Sequence, residues 1–160
     1  MRRCPAPEHG PASHDADAPA PPAARALVQA YRNALYRIDT IPPLFIRIGR
    51  AHPELASLHQ QHRCRRSLIL TACNPLSRRL RPAANARRMR ALRQAIGALG
   101  FPSLPAAGLD PQGVWPDEAS LWIPGLPPAA GLLLARRFGQ NALVECPEDT
   151  VARLIWTAVC

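Results

Sequence analysis

Apolar residues recur at regular intervals along the chain beyond residue 22, first at helical spacing and then in alternation with polar residues. Leu27 and Val28 pair with Tyr31 and Leu35 at helical spacing, which predicts an amphipathic helix at the start of the domain. Residues 36–38 and 44–48 alternate on either side of a proline pair, which predicts two paired strands or one strand with a long turn. A short helix is predicted to begin at residues 52–54.

The middle of the chain carries the strongest strand and helix signals. Residues 67–72 are apolar on both faces, which is typical of a central strand. A long helix is predicted over residues 82–99, and Gly100 follows it where a left-handed cap is favoured. The predicted packing face of that helix consists of Met89, Leu92, Ile96 and Leu99.

The last third of the chain continues the mixture of strands and helices. The predicted elements are a strand at residues 101–106, a loop at 108–115, a strand at 120–123, a helix at 127–138 packed through Leu132, Leu133 and Leu134, a strand at 142–144 and an edge strand at 151–157. This order predicts a single α/β (α+β) domain over residues 23–160, with helices packed on a mixed β-sheet of about five to six strands. Residues 1–22, rich in proline and alanine, are predicted to form a disordered tail.

Positive charge is concentrated in one segment. All 20 basic residues are arginine, a usage typical of GC-rich coding sequence, so the formal net charge of +9 says less than its distribution. Ten of the arginines lie between Arg63 and Arg93, where no aspartate or glutamate occurs. Such a segment favours an anionic partner, such as a nucleotide, a phosphate, a nucleic acid or an acidic protein. The alternative is a solvated helix face.

The amino terminus and the cysteines predict a cytoplasmic protein without membrane association. The five cysteines are an odd set, and no apolar segment follows the first arginines as it would in a secretory signal. No window approaches the ~18 apolar residues of a membrane span. Free thiols in a reducing compartment are therefore expected.

No metal or cofactor is predicted. His59, His62, Cys64 and Cys73 are suitable zinc ligands by type, but the strand between the two cysteines would hold their thiols about 20 Å apart. The chain contains neither a Walker-type phosphate loop nor the glycine-rich dinucleotide motif. It predicts no particular oligomeric state.

The end of the predicted central strand gathers polar residues that packing does not require. Thr71, Asn74 and Ser77 surround the break in this strand, and Asn85 lies on the apolar side of the next helix near its start. A strand end that leads into a helix start brings N–H groups and side-chain amides together, which favours ligand binding. Asn85 has two interpretations: it caps the helix or ties the turn to it, or it contacts a ligand.

The loop between this strand and this helix adds positive charge. The guanidinium groups of Arg78 and Arg79 suit the geometry of a phosphate or a carboxylate, and the helix start favours the same charge. Cys73 beside the break is interpreted as a small buried thiol rather than a nucleophile. A nucleophilic cysteine needs a base, and all five histidines precede the strand.

A second polar loop lies at residues 115–120. The indole of Trp115 is suited to stack on a ring, and Glu118, near Ser120, could act as a general base or pair with an arginine. The alternative for Trp115 is that it fills the core. Gln140 follows a helix stop and is predicted to line the same cleft.

Taken together, these blocks resemble a bacterial family of small domains of unknown function. The family is marked by T-A-x-N-P-x-S, a downstream asparagine, a W-x-E-x-S-like loop and F-G-Q-x-A, matched here by residues 71–77, Asn85, residues 115–120 and residues 138–142. The resemblance covers about residues 31–144 and implies no known activity. It implies one constellation, made of Thr71, Asn74, Ser77, Asn85, Glu118, Ser120 and Gln140. The family often has an aromatic residue at the position of Cys73, which also argues against a nucleophile there.

Three hypotheses for function follow. The first is a small anionic ligand, a nucleotide or a phosphorylated metabolite, oriented by Asn74, Ser77 and Asn85, with Arg78 and Arg79 on its charge and Trp115 or Glu118 closing the other side. The second is nucleic-acid binding through the basic face of residues 63–93. The third is an enzyme with Glu118 as general base and the amides holding an oxyanion. A protein-interaction module is left open.

Overall fold

A computed structural model describes residues 22–157 of the protein. The predicted disordered tail, but for residue 22, lies outside the described residues. The described chain contains four α-helices and seven strands, joined by loops and one short 3₁₀ turn. In chain order the elements are α1 (Pro22–Asn33), β1 (Leu35–Ile38), β2 (Leu44–Arg47), α2 (Glu54–Gln61), β3 (Ser67–Leu70), the 3₁₀ turn (Pro75–Ser77), α3 (Pro82–Ala98), β4 (Leu104–Leu109), β5 (Glu118–Pro124), α4 (Pro128–Arg137), β6 (Ala142–Cys146) and β7 (Arg153–Trp156).

The seven strands form one sheet in the order β2-β1-β4-β5-β3-β6-β7. The predicted α/β (α+β) class is confirmed, with one or two strands more than expected. Every pairing within the sheet is antiparallel, so the sheet is not mixed in strand direction. The periodicity of a strand records which faces are buried and not which strand lies beside it, so strand direction could not be read from the pattern.

Two apolar cores lie on opposite faces of this sheet. All four residues of β3 are buried, which confirms the predicted central strand. Leu68 and Leu70 face α3 and α4, where they pack with Leu92 and Leu134. The residue between them, Ile69, faces the other core, which lies between α2 and the opposite face of the sheet. The domain is therefore layered, with helices on both sides of the sheet.

The loops and ends of elements show where the pattern succeeded and where it did not. The paired strands β1 and β2, the edge strand β7 and the left-handed cap at Gly100, with φ of +82°, are confirmed. Two predicted packing residues are wrong, because Leu99 is 52 % exposed and Leu133 is 67 % exposed. Leu99 lies past the end of α3, and neighbouring residues of a helix diverge by 100°, so three consecutive leucines cannot share one face.

One strand is also shifted from its predicted position. The strand predicted at residues 101–106 is observed as β4 at Leu104–Leu109, so Gly108 lies in the strand rather than in the loop that follows. Within residues 22–157 no helix is both long enough and apolar enough to cross a membrane.

Candidate functional site

The loop after β3 has an unusual backbone. Asn74, Leu76 and Ser77 have positive φ values of 45°, 51° and 58°. This left-handed region costs roughly 1–2 kcal/mol for an ordinary residue, and asparagine tolerates it better than leucine does. Packing does not hold Leu76 in place, since its side chain is 61 % exposed. The conformation is therefore maintained by the hydrogen bonds around the loop.

The side chains of Asn74 and Asn85 hold this loop against α3. The backbone N–H of Asn74 donates to Oδ1 of Asn85 over 3.0 Å, and Nδ2 of Asn85 donates back to Oδ1 of Asn74 over 2.9 Å. The same Oδ1 of Asn74 accepts the backbone N–H of Leu80 over 2.9 Å. Of the two interpretations of Asn85, the geometry matches the one in which it ties the turn to the helix.

Glu118, the first residue of β5, joins this pair to the second polar loop. Its Oε1 accepts Nδ2 of Asn74 over 2.6 Å and Nε1 of Trp115 over 2.9 Å. We call Asn74, Asn85, Trp115 and Glu118 the amide cluster. Across residues 22–157, Oε2 of Glu118 has no hydrogen-bond partner and the carboxylate forms no ion pair. The carboxylate is half-buried, and neutral N–H donors hold it through one oxygen only.

The arginine next to the cluster binds elsewhere. Nη2 of Arg79 donates to the carbonyl oxygen of Val114 over 2.7 Å, and its guanidinium carbon lies 4.7 Å from the centre of the Trp115 ring. Trp115 is half-buried between Arg79 and Glu118, and so does not fill the core. Arg78 is exposed at the surface of the same loop.

Two tyrosines that the sequence did not suggest for the site lie on the face of the sheet that carries Glu118. Glu118 is opposite Gly108 across β4, and Gly108 is opposite Tyr36 on β1. The hydroxyl of Tyr36 donates to the carbonyl oxygen of Tyr31 over 3.3 Å. Burial first, and then the negative charge of Glu118, raise the pKa of Tyr31. The strand register places Tyr36 on the face of Glu118, and Tyr31, in α1, lies beside Tyr36, so no local sequence signal could have linked them to the site.

Hydroxyl and thiol groups line the neighbouring backbone. Oγ1 of Thr71 donates to the carbonyl oxygen of Ala119 over 2.7 Å, and Oγ of Ser120 donates to that of Glu118 over 3.2 Å. Cys73 is 4 % exposed, and burial is the main reason that its pKa is raised. A thiol with a raised pKa is mostly protonated at neutral pH, which does not suit a nucleophile.

The remaining predicted site residues connect the loop to α4 and β6. Nε2 of Gln140, a buried side chain, donates to the carbonyl oxygen of Cys73 over 2.9 Å. Nδ2 of Asn141 donates to Oγ of Ser77 over 3.0 Å. Arg88 donates through Nε to the carbonyl oxygen of Ala72 over 2.6 Å. The sequence missed this inward role, because Arg88 lies within a basic run that otherwise resembles a surface.

The predicted constellation is therefore assembled at one end of β3, with most of its polar atoms bonded inside the protein. Asn74 and Asn85, two of the amide side chains among which the enzyme hypothesis seeks an oxyanion site, are bonded to each other. Within the described part of the chain no three His, Cys, Asp or Glu side chains meet as a metal site would require.

Two surface cavities lie away from the amide cluster. One, of about 420 Å³, is lined by residues 63–66, Gly125 and Pro127. The other, of about 500 Å³, lies between the β1–β2 turn and α2. No residue of the cluster lines either cavity. Both cavities are open to solvent, and the polar groups that mark a binding site converge at the amide cluster instead.

Comparison with known proteins gives a match to one family model and identifies no activity. No curated protein and no solved structure gave a match. Residues 70–143 match the model of a family described as a protein of unknown function (DUF3293). The matched stretch begins at the last residue of β3 and contains the whole amide cluster. It supports the resemblance to an uncharacterised family without testing the individual motifs. Over residues 70–143 the chain is thus similar to DUF3293, a family of proteins of unknown function.

Proposed function

We propose that this is a cytoplasmic domain that binds a small anionic ligand, a nucleotide or a phosphorylated metabolite, beside the amide cluster. The observation that carries the proposal is the carboxylate of Glu118. It is half-buried, fixed through Oε1 by two neutral N–H donors, and pairs with no arginine of residues 22–157 although the adjacent loop is rich in arginine.

The state of Glu118 argues for a ligand because a partly buried charge is usually paired. Burial of a carboxylate is costly unless hydrogen bonds or an opposite charge offset it. Arg79 comes close enough to stack on Trp115, yet it donates to a backbone carbonyl. The arrangement keeps one carboxylate oxygen as a free acceptor. A ligand with an N–H or O–H donor, such as the edge of a nucleobase or a ribose hydroxyl, satisfies that oxygen.

The loop beside the carboxylate supports the anionic part of the ligand. Arg78 and Arg81 are exposed, and within residues 22–157 neither forms an ion pair. Their guanidinium groups can bind a phosphate through two parallel hydrogen bonds, and the adjacent start of α3 favours a negative charge. A nucleotide combines a donor edge with a phosphate, so it satisfies both halves of the site.

In this proposal the asparagines position the groups that bind the ligand rather than bind it directly. Asn74 orients the carboxylate through Nδ2 and orients the arginine loop through its bond to the backbone of Leu80. One residue therefore sets both the acceptor and the cationic loop. Preorganisation of this kind raises affinity because less freedom is lost on binding.

The direct test measures binding to Glu118→Gln by titration calorimetry with guanosine monophosphate, adenosine monophosphate, their nucleosides and inorganic phosphate. Glutamine keeps the acceptor for Asn74 and Trp115 but replaces the free oxygen with a donor. We expect a Kd for at least one nucleotide that is about tenfold or more weaker in the variant, or about 1.4 kcal/mol. The matched control is Asp117→Asn, which makes the same change of charge on the exposed neighbour. Equal affinity in Glu118→Gln, or no binding by the unmodified protein, would contradict the proposal.

A second variant separates the two halves of the ligand. Arg78→Ala with Arg81→Ala should weaken nucleotide binding and leave the weaker nucleoside binding unchanged, because only the phosphate contacts are lost. Arg50→Ala removes an exposed arginine outside the site and serves as the control. If a nucleoside and its nucleotide bind with equal affinity, the phosphate does not contact this loop.

A further inference from the structure

The outer side of α3 carries three arginines that belong neither to the core nor to the amide cluster. Arg87, Arg90 and Arg93 are exposed along this helix, whereas Leu92 and Ile96 face the core. At 100° per residue the three guanidinium groups fall within about one third of the helix circumference. We call these three residues the arginine face.

Other arginines of the basic segment form ion pairs or hydrogen bonds within the protein. Arg65 pairs with Glu148, Arg66 lies 3.9 Å from Glu145, and Arg88 donates to two backbone carbonyls. Among the described residues, the members of the arginine face have no ion pair and no hydrogen bond from their side chains. Since α3 has no acidic residue, nothing on the helix neutralises this face.

We propose that the arginine face binds double-stranded nucleic acid through its phosphate backbone. Arg87 and Arg93 are separated by about 9 Å along the helix axis, at 1.5 Å per residue. A duplex carries one negative charge per ~1.7 Å of its length, so a helix of this size lies against several phosphates at once. The proposal does not depend on the ligand site, because the arginine face lies on the side of α3 away from the core.

The composition of the face favours a duplex over a single strand. Proteins that bind single strands combine positive charge with aromatic side chains on which unpaired bases stack. The sequence of α3, PAANARRMRALRQAIGA, contains no aromatic residue. Contacts made by arginines to phosphates position a duplex without reading its sequence. The expected binding is therefore electrostatic, independent of sequence and strongly dependent on salt.

The test measures fluorescence anisotropy with a labelled duplex of about 20 base pairs, and with one of its single strands, from ~50 to ~200 mM salt. The variant carries Arg87→Gln, Arg90→Gln and Arg93→Gln, which preserve helix propensity. The control carries Arg25→Gln, Arg32→Gln and Arg50→Gln, which remove the same charge from exposed positions elsewhere. Circular dichroism of all three proteins verifies that they are folded.

We expect the unmodified protein and the control to bind the duplex more tightly than the single strand. In the arginine-face variant the slope of log affinity against log salt should become shallower by about 2.7, or 0.9 for each lost phosphate contact. Three outcomes would overturn the proposal. They are a control variant that loses as much affinity as the arginine-face variant, a single strand that binds as tightly as the duplex, and no duplex binding at ~50 mM salt.

Discussion

Polar side chains meet in two places on this sheet, and the two places differ in how deeply their hydrogen bonds are buried. In the core beside α2, Ser67 lies 2.9 Å from Nε2 of His59 and accepts Nε1 of Trp122 over 2.7 Å. These three residues are at most 4 % exposed. Burial first, and then the charge of His62, lower the pKa of His59, so the imidazole stays neutral in the core. In the amide cluster, by contrast, the carboxylate of Glu118 is half-buried and uses one oxygen.

The difference separates a structural network from a candidate site. We call the first network closed because its hydrogen bonds lie inside the core, where it contributes to stability because each partner of Ser67 would be costly to leave unpaired. A half-open network leaves an acceptor at the surface while its other bonds hold that acceptor in place. Both contain a tryptophan N–H and an acceptor, so residue types alone do not distinguish them. Stability should therefore respond more strongly to changes in the closed network, and binding to changes in the open one.

The largest effect on stability is expected from Ser67→Ala. This change leaves both the imidazole of His59 and the indole N–H of Trp122 without a partner inside the core. At about 1–3 kcal/mol for each of the two unsatisfied groups, the free energy of unfolding should fall by about 2–6 kcal/mol in urea denaturation. Ser120→Ala is the control, because the Ser120 hydroxyl, also buried, only donates to a backbone carbonyl two residues away. A smaller loss of unfolding free energy in Ser67→Ala than in Ser120→Ala would contradict the prediction that the core network contributes more to stability.

An intermediate effect is expected from breaking the clasp between Asn74 and Asn85. Asn85→Ala and Asn74→Ala should each lower the free energy of unfolding by about 1–3 kcal/mol. The first leaves the backbone N–H of Asn74 without its acceptor, and the second leaves Nδ2 of Asn85 and the backbone N–H of Leu80 without theirs. The two losses should not add, and a double-mutant cycle should give a coupling of about 0.5–3 kcal/mol.

Asn74→Gly sharpens this prediction. Glycine loses the same hydrogen bonds as alanine but accepts a φ of 45° without strain, so it should be less destabilising than Asn74→Ala. A coupling near zero would mean that the clasp does not hold the loop. Equal losses for glycine and alanine would mean that the left-handed backbone carries no cost.

The smallest effect is expected from two exposed leucines whose backbones differ. Leu76 is 61 % exposed and has a φ of 51°, whereas Leu133 is 67 % exposed and lies within α4. Leu76→Gly should be neutral or stabilising by up to about 1 kcal/mol, because it relieves the left-handed strain. Leu133→Gly should be destabilising by about 1 kcal/mol, because glycine is a poor helix former. Thermal unfolding measures the sign of the change in stability for each variant. The same sign in both would mean that the backbone at Leu76 is not strained.

Periodicity predicted much of the fold, and it failed where side-chain direction or pairing mattered. The run at residues 67–72 and the long helix were readable because their apolar residues follow one period. The exposure of Leu133 was not read from a run of three leucines, and the start of β4 at Leu104 depended on its pairing with β5. In the site, the tie between Asn74 and Asn85 was one of two stated interpretations, because these residues flank a single loop.

By itself, the sequence determined the order of the elements, the burial of β3 and the grouping of polar blocks near the Asn74 loop. Only the tertiary structure decided which of those polar atoms form hydrogen bonds with each other. Asn74 and Glu118 are 44 residues apart, and they meet because β3 and β5 are neighbours in register. Register is set by the packing of whole strands and helices. No local spacing therefore encodes that Glu118 keeps a free oxygen or that Tyr31 and Tyr36 share its face.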